Sequence, residues 1–159
     1  MSYQAVILTV SDSCAAGTRT DTGGPAIRAM LENAGFAVQA MQTVPDEEGQ
    51  ISAAIVHASD ILQADLVVTT GGTGLSPRDV TPEATLAVLD REIRAIPVAM
   101  WVEGLKSTPR AMLSRAVAGT RGHTLVLNVP GSEKAARENL GVVVATLDHA
   151  LRMLAGGGH

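Results

Sequence analysis

The sequence predicts an α/β fold in which a mostly parallel sheet is covered by helices. Three observations carry this expectation. Residues 3–10 (YQAVILTV), 65–70 (DLVVTT) and 124–129 (TLVLNV) are apolar runs of strand length, as expected for strands buried on both faces. Between them lie stretches whose apolar residues recur at helical spacing. Over the first half of the chain the order is strand, helix, strand, helix, strand, loop, helix, which is the order of βαβ units.

Taken in order, residues 3–10 form the first strand and residues 11–20 a polar loop of small residues. Asp21, Thr22, Gly23, Gly24 and Pro25 open a helix in which Ile27, Met30, Leu31 and Ala34 share a face, and Gly35 follows as its stop. Residues 36–44 read as the second strand, and 45–48 (PDEE) as a loop. The next helix places Ile51, Ala54, Ile55, Ala58 and Leu62 on one side. Residues 64–70 are the third strand. They run into GGTGLSPRDVTPEAT (71–85), where Thr81 is the expected N-cap, Pro82 the first helical residue and Glu83 a first-turn acid.

Beyond this point Val98, Trp101, Val102 and Leu105 have helical spacing, with Pro97 at the start, Gly104 inside and Thr108-Pro109 at the end. Residues 111–119 (AMLSRAVAG) fit strand or helix equally. Gly119 and Gly122 bracket a turn before the strand 124–129, and strands joined by so short a turn are antiparallel. Pro130, Gly131 and Ser132 lead into a last helix with Leu140, Val143, Val144, Leu147, Leu151 and Leu154 as its apolar stripe. The expected organisation is one domain over residues 1–155 and a flexible tail over 156–159.

Composition narrows the function. The 159-residue chain is 46% hydrophobic and can bury a full core, yet only 2% aromatic, which disfavours the stacking platforms of single-stranded nucleic acid binding. A net charge of -4 without a basic run argues against nucleic acid and anionic membranes as partners. No apolar run approaches the roughly 20 residues of a membrane span. Without a leader pattern the expected location is cytoplasmic. Cys14 is the single cysteine, so neither an internal disulfide nor a thiolate metal cluster is available.

Common catalytic signatures are absent. No glycine precedes Lys-Ser or Lys-Thr as a P-loop requires, and Gly72-Thr73-Gly74 reaches Pro77 where a dinucleotide fingerprint has its third glycine. There is no H-E-x-x-H, no G-x-S-x-G, and the four histidines are scattered. The polar loops instead follow the strands: Ser11, Asp12 and Ser13 after the first, Asp46 and Glu47 after the second, Gly71, Gly72, Thr73, Gly74, Arg78 and Asp79 after the third, and Asn128, Pro130, Gly131 and Ser132 at the last. In a parallel sheet these ends share one edge. Three acids there, beside backbone N–H groups suited to phosphate, point to a divalent cation; Mg²⁺ takes one or two carboxylates plus phosphate oxygens and water. Alternatively, Asp12, Asp46 and Asp79 are turn and helix caps.

TVSDS (9–13), D-x-x-G-P (21–25), VPDE (44–47), GGTGLSPRDVTPEAT (71–85), AMLSRAVAG (111–119) with Arg121 and Gly122, and NVPGS (128–132) occur together in this order. With these motifs nearly the whole chain resembles the molybdopterin adenylyltransferase family, the molybdenum cofactor biosynthesis domain of Mog-type and MoaB-like proteins and of the plant Cnx and gephyrin G domains. The resemblance implies a three-layer α/β sandwich and a homotrimer. It implies Mg²⁺-dependent adenylyl transfer from ATP to the phosphate of molybdopterin, giving adenylyl-molybdopterin and pyrophosphate, and a possible partner in the molybdate-inserting enzyme of the pathway. It makes Asp46 and Asp79 the functional acids, and because a phosphate monoester is already dianionic and needs no base, they read as direct or water-mediated Mg²⁺ holders. It places the nucleotide phosphates at Gly71, Gly72, Thr73 and Gly74 with Ser11, Asp12 and Ser13. It sets Ser114, Arg115, Asn128, Pro130, Gly131 and Ser132 toward the pterin; apart from the resemblance, Lys134 follows in the first turn after that loop and is placed to add charge there. A second class fits the same residues: a MoaB-like molybdopterin-binding or scaffold protein with little catalytic activity.

Overall fold

The computed structural model describes residues 2–157. Its centre is a six-stranded sheet ordered β2-β1-β3-β6-β5-β4. Strands β1 (Gln4–Val10), β2 (Ala37–Val44), β3 (Leu66–Thr70) and β6 (Thr124–Val129) are mutually parallel, while β5 (Ala118–Arg121) and β4 (Arg91–Glu92) run antiparallel at one side. The expected short turn joins β5 to β6. No helix among the described residues is long and apolar enough to cross a membrane.

Side-chain alternation along the strands builds two cores. Ala5, Ile7, Leu66, Val68, Leu125 and Leu127 face α2 (Gly23–Asn33), α5 (Ala95–Leu105) and α6 (Glu133–Leu154) through Ile27, Leu31, Met100, Leu140 and Leu147. Val6, Leu8, Val10, Val67 and Val126 face α3 (Glu48–Val56) and α4 (Thr81–Leu86) through Ile51, Ile55 and Ala84. The runs read as continuous because both faces are covered, and the result is the three-layer sandwich. Strand β2 is an edge and mostly open to solvent, with its register against β1 shifted at Gln39.

Several elements depart from expectation for local reasons. The expected loop 11–20 contains a helical turn, α1 (Asp12–Ala15), because Ser11 Oγ caps it by accepting from the Cys14 N–H at 3.2 Å. Val80, not Thr81, is the N-cap position of α4; the Thr81 hydroxyl is committed to the Gly71 carbonyl at 2.9 Å, leaving Thr81 and Pro82 inside the helix. A π-helical segment, His57–Ile61, continues α3 and resets its phase, so Leu62 leaves the apolar face and is partly exposed.

The ambiguous stretch 111–119 is neither helix nor strand throughout. A 3₁₀ segment, Pro109–Leu113, precedes extended residues and then β5. Helix α5 starts at Ala95, and its buried residues are Pro97, Met100 and Gly104; Val98, Val102 and Leu105 of the expected stripe point outward. Strand β4 has no sequence signal. Gly157 N donates to the Arg152 carbonyl at 2.9 Å and closes α6; Gly158 and His159 of the expected tail lie outside the described residues.

Candidate active site

The carboxyl ends of β1, β3 and β6 open into a cavity of about 860 Å³, walled also by the start of α2, by α5, by the 3₁₀ segment and by the start of α6. This is the crevice position expected of an open parallel sheet.

The glycine loop after β3 is its floor. Gly71 and Gly72 have φ of 103° and 69°. A Cβ on Gly71 would collide with the Val10 carbonyl oxygen, and one on Gly72 with Thr81 Oγ1, so both the conformation and the close approach require glycine. Gly71 N donates to the Val129 carbonyl at 3.1 Å and Thr81 N to the Gly72 carbonyl at 3.1 Å. The next four N–H groups, of Gly72, Thr73, Gly74 and Leu75, meet no acceptor among the described residues. Successive free N–H groups in a turn are an anion cradle.

Arg115 fixes that loop from behind. Its backbone N donates to the Thr73 carbonyl at 2.8 Å. The guanidinium donates to the Gly74 and Asp79 carbonyls, both at 2.8 Å, and to the Glu83 carboxylate. Arg115 therefore does not line the cavity, whereas its neighbour Ser114 does.

The acids divide into two kinds. Asp12 and Asp46 exchange hydrogen bonds: Asp12 N to Asp46 Oδ2 and Asp46 N to Asp12 Oδ1, each 2.9 Å. Arg78 closes on Asp12 with two bonds of 3.0 Å and reaches Glu47 at 2.9 Å. Arg78 and then the Asp46 N–H hold the Asp12 carboxyl below the usual carboxylate range. The Asp46 carboxyl is pushed up, first by burial and then, against the Asp12 N–H bond, by the negative charges of Asp12 and Asp79.

Asp46 and Asp79 both line the cavity, each against the loop: Asp46 Oδ1 lies 3.1 Å from where a Gly72 Cβ would stand, and Asp79 Oδ2 2.9 Å from that of Gly74. Asp46 Oδ2 is used by Asp12 N and Asp79 Oδ2 by Ser76 N at 3.0 Å, so each keeps Oδ1 without a protein partner among the described residues. No group of three His, Cys, Asp or Glu side chains there forms a metal cage. Two half-used carboxylates beside free N–H groups instead fit a hard cation that draws its other ligands from phosphate and water.

The remaining expected residues separate similarly. Ser11, Gly71, Gly72, Thr73, Gly74, Ser114, Pro130, Gly131 and Ser132 line the cavity; Asp12, Ser13, Asn128 and Lys134 do not. Asn128 is buried, donating to the hydroxyls of Thr69 at 2.9 Å and Thr85 at 3.0 Å and accepting from Val117 N. It ties β3, β6 and α4 together. Ser132 Oγ caps α6 on Ala135 N at 3.2 Å.

Sequence reasoning missed the roles of Asp21, Trp101 and Asn139, all of which line the cavity. Asp21, just before the N-cap Thr22, accepts from Gly24 N in the first turn of α2 at 3.0 Å and from the Thr9 hydroxyl at 2.7 Å. Its signal was the helix opening itself. For Asn139 it was a polar residue on the apolar side of α6. Trp101 is half-buried, with an Nε1–H that meets no acceptor among the described residues.

Residues 6–149 match the family model described as "Probable molybdopterin binding domain". The chain is 41% identical to gephyrin of Dictyostelium discoideum, over 93% of this chain and 22% of that protein, so it spans about a fifth of that relative's length. It is 42% identical to a molybdopterin adenylyltransferase of Haemophilus influenzae, over 84% of this chain and 69% of the relative. The crystal structure of the molybdopterin biosynthesis enzyme MoaB from Thermus thermophilus superposes with a TM-score of 0.92 at 49% identity, covering 97% of each chain. With the same sheet, and with the family model spanning nearly its whole length, this chain belongs to the molybdopterin-binding domain family of molybdenum cofactor biosynthesis.

Proposed function

We propose that this chain transfers an adenylyl group from ATP to the phosphate of molybdopterin, releasing pyrophosphate. One observation carries the reading: four unpartnered N–H groups at 72–75 lie between two half-used carboxylates in a cavity of about 860 Å³. Relatives named molybdopterin adenylyltransferase support it.

In the reaction an oxygen of the molybdopterin phosphate forms a bond to the α-phosphorus of ATP, and the bond from that phosphorus to the bridging oxygen of the β-phosphate breaks. Pyrophosphate leaves with the electron pair. A phosphate monoester has a second pKa of about 6 and is already mostly dianionic at neutral pH, so no side chain need act as a base. The chain's task is alignment and charge. The N–H groups of 72–75 hold phosphate oxygens, and the free N-terminal end of α6 at Gly131 and Ser132 offers donors to a second anion. Asp46 and Asp79 line the same cavity, each with one carboxylate oxygen that has no protein partner among the described residues. A Mg²⁺ held there would neutralise phosphate charge and favour the leaving group.

We further read the protein as a cytoplasmic homotrimer that hands its product to the molybdate-inserting enzyme. The outward Val98, Val102 and Leu105 of α5, with Met112 and Leu113, support a covered face. Sedimentation velocity tests the trimer, and cell fractionation the location.

Pyrophosphate release from Mg·ATP, with and without molybdopterin, tests the activity. Molybdopterin-dependent release together with adenylyl-molybdopterin is expected. Tight molybdopterin binding without turnover would favour a binding or scaffold module, and release without molybdopterin a nucleotide hydrolase.

A further inference from the structure

The cationic side chains of this protein are nearly all spoken for. Of the twelve lysines and arginines, nine lie within 4.0 Å of a carboxylate: Arg28, Arg78, Arg94, Lys106, Arg115, Arg121, Lys134, Arg137 and Arg152. Among the described residues Arg19, Arg91 and Arg110 have no such partner. Two of these three, Arg19 and Arg110, line the cavity, and among the described residues they are the only lysines or arginines that do. Four carboxylates share the lining with them: Asp21, Asp46, Asp79 and Glu138.

A cavity meant for phosphate-bearing ligands and lined by more acids than bases needs its positive charge uncommitted. Arg78 is taken up by Asp12 and Glu47, and Arg115 by Glu83 and two loop carbonyls. Arg19 and Arg110 have exposed side chains that donate no hydrogen bond within the described residues, so they meet an anion without first breaking an ion pair. Their supports differ. Arg19 belongs to the segment between β1 and α2, which follows Val10 at the Gly71 backbone, carries Ser11 in the cavity lining and leads into Gly23 of α2 beside Thr70 and Gly131. Arg110 belongs to the 3₁₀ segment that packs Ala111 against Gly104 of α5 and continues to Ser114.

We infer that Arg19 and Arg110 are the charged side-chain contacts to phosphate in this cavity, added to its backbone N–H donors, Arg19 for the nucleotide and Arg110 for the second phosphate-bearing ligand. The assignment of ligands rests on the function proposed above. A guanidinium forks onto a phosphate with two charge-assisted bonds, and both side chains are exposed on segments outside the sheet.

The test compares the native protein with R19Q, R110Q and, as a control away from the cavity, R91Q. Glutamine keeps much of the side-chain length and removes the charge, and thermal unfolding checks that all four are folded. Calorimetric titration with ATP and with inorganic pyrophosphate should show about tenfold or greater weakening of ATP binding in R19Q. In the transfer assay, R110Q should raise the KM for molybdopterin by a similar factor, more than it lowers kcat. R91Q should match the native protein. Native-like ATP binding in R19Q together with a native KM in R110Q overturns the inference while leaving the proposed function standing. A native protein that binds ATP and pyrophosphate, weakens as R19Q, yet transfers no adenylyl group refutes the proposed function and keeps Arg19 as an anion contact. A native protein that binds neither ATP nor pyrophosphate overturns both.

Discussion

Asp12 and Asp46, separated by 34 positions in sequence, each accept the other's backbone N–H at 2.9 Å. This exchange locks the loop after β1 to the loop after β2. It also gives the two carboxylates opposite characters: Asp12 is neutralised by Arg78, whereas Asp46 is desolvated against the glycine loop.

Asp79→Asn and Asp46→Asn retain an oxygen for the backbone bonds and lose the charge. Each is expected to lower adenylyl transfer by about 10²–10³-fold, the scale of losing one preorganised electrostatic contact in an active site. Single-turnover assays with saturating molybdopterin measure this. Because burial disfavours the charged Asp46, the Asp46→Asn protein should unfold at an equal or slightly higher temperature, by about 2 °C. Native transfer rates in either variant would remove the acids from the mechanism.

The ion pairs of Arg78 should appear in the pH dependence of stability. The folded-state pKa of Asp12 is depressed, so its contribution is present above the unfolded carboxylate value of about 3.9 and is lost as pH falls through the folded value. Asp46 has the opposite sign: its charged form costs stability, and that cost disappears as acid protonates it. In Arg78→Met the larger part of the Asp12 contribution is gone, and the part from the Asp46 N–H remains. Urea unfolding at about pH 6 and about pH 3 should show the gap between native and variant protein narrowing in acid, and a constant gap would contradict the assignment.

Arg115 is a positioning residue. Arg115→Met leaves the Gly74 and Asp79 carbonyls without their donor and should cost about 2 kcal/mol of stability. If positioning is its role, the KM for ATP rises and kcat falls, while Glu83→Gln, which spares the bonds to the loop, changes kcat by less than about threefold. Steady-state kinetics with both substrates distinguish this from direct pterin contact, which would move the molybdopterin KM alone.

Asn128→Leu removes the donor to Thr69 and Thr85 and leaves Val117 N unsatisfied in the core. A loss of about 2–3 kcal/mol is expected by chemical denaturation. At temperatures where the variant is folded, its molybdopterin KM should stay within about threefold of native, because the side chain bonds only to protein groups.

What the sequence conveyed reflects which interactions are local. The buried strands were legible because both faces of the sheet are covered, making residues 5–8 and 66–68 uniformly apolar. The glycine loop was legible because Gly71 and Gly72 answer a steric demand. Pairing across the chain was not. Nothing near Arg115 announces that its partners are Gly74, Asp79 and Glu83, or near Arg78 that it will take Asp12 rather than the neighbouring Asp79. Thr81 looked like a cap because its type suits one, yet the nearby Gly71 carbonyl took its hydroxyl. Helix α5 is apolar nearly all round, so spacing alone could not choose the face that Met100 and Gly104 bury.

Sheet order and chain order disagree at one strand. Strand β6, the last to be synthesised, lies between β3 and β5. During translation β1, β2 and β3 can pair as soon as they emerge, since they are neighbours. The β4–β5 pair, made later, has no attachment to them until residues 124–129 follow. Pro130, Gly131 and Ser132, which finish the cavity wall, come directly after that strand. Synthesis of β6 therefore completes the sheet and brings the last strand-end loop of the site with it, and a chain interrupted before β6 has neither the whole sheet nor a finished cavity wall.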